Sequence, residues 1–389
     1  MTNKDKILKE WDLHEAPSPS YILHLDLLKE NLSVIDKVRK EAGVEIIVAL
    51  KANATWEIFP LLRKHSDGAT ASSLCEAQLV YEEMGIKAHT YAPVYTQEEI
   101  DDILSYSSHI TFNSLNQHKR FGEKAQKAGV SCGLRVNPEY STVETDLYNP
   151  CSPQSRLGIR SIDIQEWPER IEGLHFHALC ESRPKDLFHT LQAVEEKFGK
   201  FFPYLKWINM GGGHLMTHQD YDNNELIRIL KEFKQRHPHL RVILEPGSAF
   251  TWDTGILLAQ IEDIVRNGGR NTLMLNVSFA CHMPDCLEMP YQPTILGMQP
   301  STDKGSWYMG GNSCLAGDYY GAWSYDEPKQ PAIGDKIVFR DMIHYTMVKT
   351  TVFNGVTHPS IVLYDSQTGF RMIREFGYED YKQRMGALP

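Results

Sequence analysis

The sequence lacks the features that mark membrane, secreted and nucleic-acid-binding proteins. None of its 389 residues lie in a stretch as long and apolar as a transmembrane helix. The segment from Met1 to Glu15 alternates charged and apolar side chains and has no signal-peptide core. A formal net charge of −10 and a pI near 5.9 argue against nucleic acid or an anionic membrane as the main partner.

Cysteine is present but has no spacing framework. The seven cysteines are an odd number scattered along the chain, which predicts reduced thiols in a cytoplasmic protein. Cys281, His282 and Cys286 could be drawn as a zinc site, but Pro284 interrupts them and no fourth ligand follows at zinc-finger spacing. We therefore expect no metal site.

Short apolar runs alternate with amphipathic segments from Glu45 onward, and a helical pattern over Leu25–Ala42 precedes them. The eight predicted strands are Glu45–Lys51, Gly68–Ser73, His89–Val94, His109–Ser114, Ser131–Asn137, Ile171–Ala178, Leu205–Gly211 and Arg241–Gly247. Helical patterns separate them, among them Ile162–Arg170. Eight such units predict an α/β fold, a (β/α)8 TIM-like barrel over residues 21–254. An open doubly wound sheet is the alternative fold, but it does not explain why the number of strand-helix units is eight.

The pattern changes after Gly255. Four runs read as strands separated by Gly, Pro and Asn turns, with no helix of barrel length between them: Ile256–Ile264, Thr272–Val277, Lys336–Phe339 and Met347–Val352. We expect a mainly β second domain over residues 255–389, which residues 1–20 are candidates to join.

Lys51 ends the first predicted strand. Its stem follows a β-branched apolar run, so burial is expected to favour the neutral amine, the form that makes a Schiff base with an aldehyde. The alternative is a lysine that snorkels from an exposed strand end.

Strands seven and eight end in residues suited to binding an anion and a cation. Gly211-Gly212-Gly213 could bring backbone amides close to a phosphate, although alone it could be only a flexible turn. Glu245, before Pro246 and Gly247, needs a cationic or protonated partner if buried, such as a pyridinium nitrogen, Arg135 or Arg241.

The sixth strand carries His175-Phe176-His177, whose alternation places both histidines on one face. One could stack on a planar ring, or both could be satisfied core histidines. Together with Lys51, the glycines and Glu245 around one barrel mouth, this constellation predicts pyridoxal 5′-phosphate as the cofactor.

The chain also resembles the fold-type III pyridoxal-phosphate decarboxylases, the alanine racemase-like family that includes ornithine, arginine and diaminopimelate decarboxylases. The motifs that carry the resemblance are Ala49–Asn53, Leu134–Pro138, Ser155–Gly158, Gly173–His177, Gly211–Gly213, Glu245–Gly247, Cys314 with Asp318, Tyr345 and Phe353–Gly355. They span nearly the whole chain in the family's order.

The resemblance implies that Lys51 carries the cofactor, His177 stacks on its ring and Glu245 pairs with the ring nitrogen. The residues that it implies for the phosphate are Gly211, Gly212, Gly213, Gly247 and Tyr345. Cys314 or Lys51 would return a proton to Cα. Because Cys314 and Asp318 match residues that reach the neighbouring subunit's site, the resemblance also implies an obligate homodimer.

Departures from the diaminopimelate enzymes point to one branch. Ser248 follows Glu-Pro-Gly where those enzymes have an arginine, and Ala178-Leu179-Cys180 follows the inward histidine where they carry a serine. The segment Phe279–Tyr291 contains no arginine for a distal carboxylate. The chain most resembles the carboxynorspermidine/carboxyspermidine decarboxylase branch of polyamine biosynthesis, in which His214 also fits.

Asp285, Asp318 and Glu288 are therefore expected to bind substrate amines, because a desolvated amine needs an opposing carboxylate. The alternatives are a diaminopimelate, ornithine or arginine decarboxylase, and a non-catalytic homologue that binds pyridoxal phosphate or senses polyamines.

Overall fold

The computed structural model describes residues 3–143 and 148–386. The chain divides into two compact units: Asn31–Phe250, and the described residues of Met1–Glu30 and Thr251–Pro389. In those described ranges, no helix combines the length and apolarity needed to cross a membrane.

The unit Asn31–Phe250 contains a closed barrel of parallel strands, so the predicted barrel is confirmed. Numbering strands along the chain from β1 (Ser20–His24), the barrel strands are β2 (Glu45–Ala49), β3 (Gly68–Ala71), β4 (Ala88–Tyr91), β5 (Ser107–Phe112), β6 (Ser131–Arg135), β7 (Gly173–His175), β8 (Trp207–Asn209) and β9 (Arg241–Leu244). Each pairs with the next in sequence, and β9 closes the ring on β2.

Trp207 fills the interior near the amino ends of the strands. Its side chain is 2% exposed and packs with Ile47 and Ile243. A Cβ at Gly173 would lie 2.0 Å from the indole, and one at Gly133 would lie 2.2 Å from it. The two glycines therefore make the space that the tryptophan occupies, which leaves the carboxyl ends for chemistry.

Helices connect the barrel strands, and others lie within the sequence of the second unit. In chain order they are α1 (Asn3–Glu10), α2 (Leu25–Ala42), α3 (Phe59–Leu62), α4 (Leu74–Leu79), α5 (Ile100–Tyr106), α6 (Leu115–Lys127), α7 (Pro184–Phe198), α8 (Asn223–Arg236), α9 (Ser248–Thr251), α10 (Phe279–His282), α11 (Asp285–Glu288) and α12 (Tyr378–Met385). The helix expected over Ile162–Arg170 is wrong: only a 3-10 turn, Ser161–Asp163, forms there. Pro168 lacks an amide hydrogen and disfavours helical backbone before it.

The second unit is built on one nine-stranded sheet within the described residues, so the predicted mainly β partner of the barrel is confirmed. It contains β1, β10 (Gly255–Asn267), β11 (Arg270–Leu275), β12 (Met298–Pro300), β13 (Trp307–Gly310), β14 (Tyr319–Tyr325), β15 (Lys336–Arg340), β16 (Ser360–Asp365) and β17 (Gly369–Arg374). Strand β1 lies between β10 and β16 and runs parallel to β16.

The strand expected over Met347–Val352 is wrong, because Met347–Lys349 forms a 3-10 helix. The amide of Lys349 donates to the carbonyls of Tyr345 and Thr346 instead of to a neighbouring strand. Local hydrogen bonding thus overrides the β propensity of this run.

Candidate active site

Lys51 lies just beyond the carboxyl end of β2, which stops at Ala49. The following residues form a turn rather than opening a helix, and a 3-10 helix begins only at Trp56. The side chain is accessible to solvent, although neighbouring protein atoms partly desolvate its amine. Burial, followed by the field of Arg135, lowers the pKa of the Lys51 amine, while Glu245 opposes the shift. The lowered pKa favours the neutral, nucleophilic amine.

Glu245 follows β9 and faces the same site. Its side chain is 13% exposed, and it accepts a 2.6 Å hydrogen bond from Asn209 Nδ2. Burial raises the pKa of this carboxyl, and the Asn209 bond and the Lys51 charge counteract the rise. Arg241, one partner considered for Glu245, is instead engaged with Glu45 in a bidentate ion pair at the start of the barrel.

His177 is held as a neutral ring of one tautomer. The amide of Gly212 donates to Nδ1 over 3.0 Å, so that the proton of the neutral ring is assigned to Nε2. Burial, Lys51 and Arg135 hold the pKa of His177 well below its usual value. His175 is also buried, and its Nε2 lies 3.7 Å from Glu245 Oε2. Burial is again the largest cause that holds the pKa of His175 well below its usual value, and the charge of Arg135 adds to it.

The glycine run is a tight junction between three barrel loops. A Cβ on Gly211 would lie 2.5 Å from the Phe176 carbonyl oxygen, and one on Gly212 would lie 2.4 Å from that of Glu245. Gly213 has a φ of 91°, and a Cβ added there would clash with the carbonyl of Leu179. The run is therefore required by backbone packing and is more than a flexible turn. Phosphate binding by the amides of this run stays a prediction.

Arg135 is the residue whose importance the sequence patterns understated. It ends β6 with 4% exposure, and its guanidinium lies 4.6 Å from the centre of the Tyr91 ring. A permanently charged guanidinium so placed depresses the pKa values of Lys51 and both histidines. An arginine inside the predicted strand Ser131–Asn137 was the signal available in the sequence.

The predicted site residues of the second unit lie on its loops. Cys314 is exposed, and its amide donates to Asn354 Oδ1 over 2.8 Å. Tyr345 has a left-handed backbone, with a φ of 52°. Asp318 is 4% exposed.

Two of the three carboxylates expected to bind amines, Asp285 and Glu288, differ in their surroundings. Asp285 is half-buried and forms an ion pair with Lys349. Glu288, at the end of α11, is exposed. Of these two, only Glu288 presents a carboxylate that no cation of the described residues already neutralises.

Residues 28–252 match the family model of the pyridoxal binding domain of pyridoxal-dependent decarboxylases. The chain belongs to this family. A carboxyaminopropylagmatine decarboxylase from Synechocystis sp. is 48% identical over 98% of both chains. A carboxynorspermidine/carboxyspermidine decarboxylase from Campylobacter jejuni is 41% identical, over 94% of this chain and 98% of its own. The crystal structure of carboxynorspermidine decarboxylase from Campylobacter jejuni, complexed with norspermidine, covers 94% of this chain and 99% of its own, with 39% identity and a TM-score of 0.87.

The cofactor of this decarboxylase is pyridoxal phosphate, as predicted. The barrel residues fit it. The amine of Lys51 is shifted towards its neutral form, the carboxyl of Glu245 has a raised pKa suited to sharing a proton with a ring nitrogen, and His177 offers a neutral ring.

Proposed function

We propose that this decarboxylase acts on a carboxylated triamine, converting carboxynorspermidine or carboxyspermidine to norspermidine or spermidine. The main support is the 41% identity to an enzyme of that name over nearly the whole of both chains. The related structure that holds norspermidine adds to it. The segment Phe279–Tyr291, which has two acids and no arginine, suits a cationic substrate end better than a carboxylate.

Within the barrel, the chain's residues hold the cofactor and set its protonation. Lys51 would supply the amine that anchors the aldehyde, Glu245 would keep a proton at the ring nitrogen, and His177 would stack on the ring. The phosphate would lie on the amides of Gly211, Gly212, Gly213 and Gly247 and accept from the hydroxyl of Tyr345. When bound, pyridoxal phosphate supplies an electron sink for the pair left at Cα as carbon dioxide departs.

The second unit would complete the site of a partner subunit in a cytoplasmic homodimer. Cys314 returns the proton to Cα, with Lys51 as the alternative donor. Glu288, which is exposed, binds a substrate amine, and Asp285 does so in exchange for Lys349. His214, which is buried near His177, is the barrel residue that contacts the substrate in this proposal. Seven free cysteines support a reducing compartment.

A second candidate substrate is carboxyaminopropylagmatine. The 48% identity to the Synechocystis enzyme favours it. Agmatine ends in a guanidinium group, which binds a carboxylate through two parallel hydrogen bonds, whereas an amine binds as a point charge. The two substrates thus make different demands on Glu288 and its surroundings.

Measuring carbon dioxide release from each acid tests both candidates. Carboxynorspermidine, carboxyspermidine and carboxyaminopropylagmatine would be compared at equal concentration by kcat/KM, with meso-diaminopimelate as the control. We expect at least one of the carboxylated polyamines to be turned over at least about 100-fold better than diaminopimelate, since rejecting a charged group that lacks a partner costs about 3 kcal/mol. Preference for diaminopimelate would refute the proposal.

A further inference from the structure

A buried carboxylate ties down the loop that carries Cys314. Asp318 Oδ2 accepts two hydrogen bonds from Ser313, one from the amide over 3.1 Å and one from the hydroxyl over 2.6 Å. Asp318 Oδ1 accepts from the amide of Ala280, 3.0 Å away in α10. One side chain therefore joins the residue before Cys314 to a separate helix.

The backbone closes the same loop. The amide of Asp318 donates to the Leu315 carbonyl over 2.9 Å, and the amide of Gly311 donates to the Asp318 carbonyl over 2.7 Å. A Cβ at Gly311 would lie 2.3 Å from Asp318 Oδ2, so only glycine permits this approach. The carboxylate is packed into the loop as well as bonded to it.

The backbone of Cys314 is hydrogen-bonded, and its thiol forms no disulfide. Its amide donates to Asn354 Oδ1 over 2.8 Å, and the neighbouring Ser313 is bound by Asp318. The cysteine nevertheless remains exposed. This arrangement fixes the backbone from which the side chain of Cys314 projects, while the residue stays exposed.

We propose that Asp318 is a positioning residue that orients the Cys314 loop, rather than a ligand for a substrate amine. Its oxygens already accept three hydrogen bonds, and only 4% of the residue is exposed. Hydrogen bonds to a carboxylate are about twice as strong as neutral ones, so an amine would have to displace strong partners. The proposal rests on the proposed role of Cys314 in returning the proton.

The position of Cys314 decides where that proton goes. Decarboxylation breaks the bond between Cα and the carboxylate, carbon dioxide leaves, and the remaining electron pair takes the proton of the Cys314 thiol, which water then restores. If the thiol is displaced, the proton would come from water and would add to the cofactor rather than to Cα. The substrate nitrogen would then stay with the cofactor as an amine, and after hydrolysis the substrate would leave as an aldehyde, which keeps atoms and electrons in balance.

Four variants test the positioning role: Asp318→Asn, Ser313→Ala, Cys314→Ala and, as a matched control, Asp335→Asn. Asp335 also accepts a backbone amide in a turn of the same unit, that of Ala332 over 3.0 Å. Asp318→Asn keeps the side-chain size but replaces one acceptor oxygen with a donor. Ser313→Ala keeps the amide bond to Asp318 and removes the hydroxyl, which donates to Asp318 Oδ2 and accepts from the Leu315 amide over 3.4 Å. It serves if Asp318→Asn does not fold.

Two readouts separate the possible roles. Hydrogen exchange on the cofactor-free protein should be about tenfold faster at 311–315 in Asp318→Asn, a smaller factor faster in Ser313→Ala, and unchanged in Asp335→Asn. In the holoenzyme, Asp318→Asn should raise the ratio of aldehyde to amine product by about tenfold while KM changes less than about twofold.

A KM about tenfold higher in Asp318→Asn, with amine still the sole product, would assign Asp318 to substrate binding and overturn the proposal. Unchanged exchange at 311–315 in both Asp318→Asn and Ser313→Ala would overturn it too. If Cys314→Ala still forms only the amine, the proposed proton donor is wrong, and the exchange measurement alone then decides whether Asp318 holds the loop.

Discussion

Placing a methyl group under Trp207 should destabilise the barrel more than any comparable change on its surface. In Gly173→Ala the new Cβ would lie 2.0 Å from the indole, and the indole is 2% exposed and packed against Ile47 and Ile243. Ordinary contact begins near 3.5 Å, so the overlap is about 1.5 Å, far more than a tightly packed interior absorbs without moving. We expect a loss of about 3 kcal/mol, the upper end for overpacking a core.

The assay is urea denaturation of the parent and the variant. A shift of the urea midpoint with an unchanged m-value reports the change in unfolding free energy. Gly199→Ala is the control, because Gly199 has a φ of −55° and no atom within 4 Å of the added Cβ. Adding Trp207→Phe to Gly173→Ala should recover at least about 1 kcal/mol relative to the sum of the single changes, since the smaller ring vacates the overlap. A Gly173→Ala protein within about 0.5 kcal/mol of the parent would refute this account of the barrel interior.

Three further predictions concern titration and the cofactor site. Lys51→Ala should abolish the visible absorbance of bound pyridoxal phosphate and nearly all turnover, and retention of both would contradict the anchoring role. Arg135→Gln should raise the pKa of the Lys51 amine, so the pH dependence of cofactor uptake by the cofactor-free protein should move to higher pH, and an unmoved profile would exclude the proposed field effect. Burial lowers the pKa values of His109, His214 and His282 to about 4, so the unfolded chain binds protons that the folded one does not. Unfolding free energy should therefore fall as pH drops from about 6.5 towards 4, by about 2 kcal/mol per histidine at pH 5, as urea midpoints would report.

The periodicity of the sequence determined the barrel. Buried parallel strands need continuous apolar runs and their connecting helices need an apolar face, and both requirements act within a few residues. The same local order put Lys51, His177, Gly211–Gly213 and Glu245 after strands β2, β7, β8 and β9. Since parallel strands share one carboxyl edge, the clustering of these residues followed from topology alone.

Only the tertiary structure decided the β unit and the partners within each site. Strand β1 pairs in parallel with β16, more than 300 residues along the chain, and no local pattern encodes such a pairing. The run Met347–Val352 has strand-like composition, yet Met347–Lys349 forms a 3-10 helix by local hydrogen bonding. Likewise, the field of Arg135 on Lys51 and the three donors around Asp318 arise because folding brings distant segments together. Charge and hydrogen bonding act through space, whereas periodicity acts along the chain.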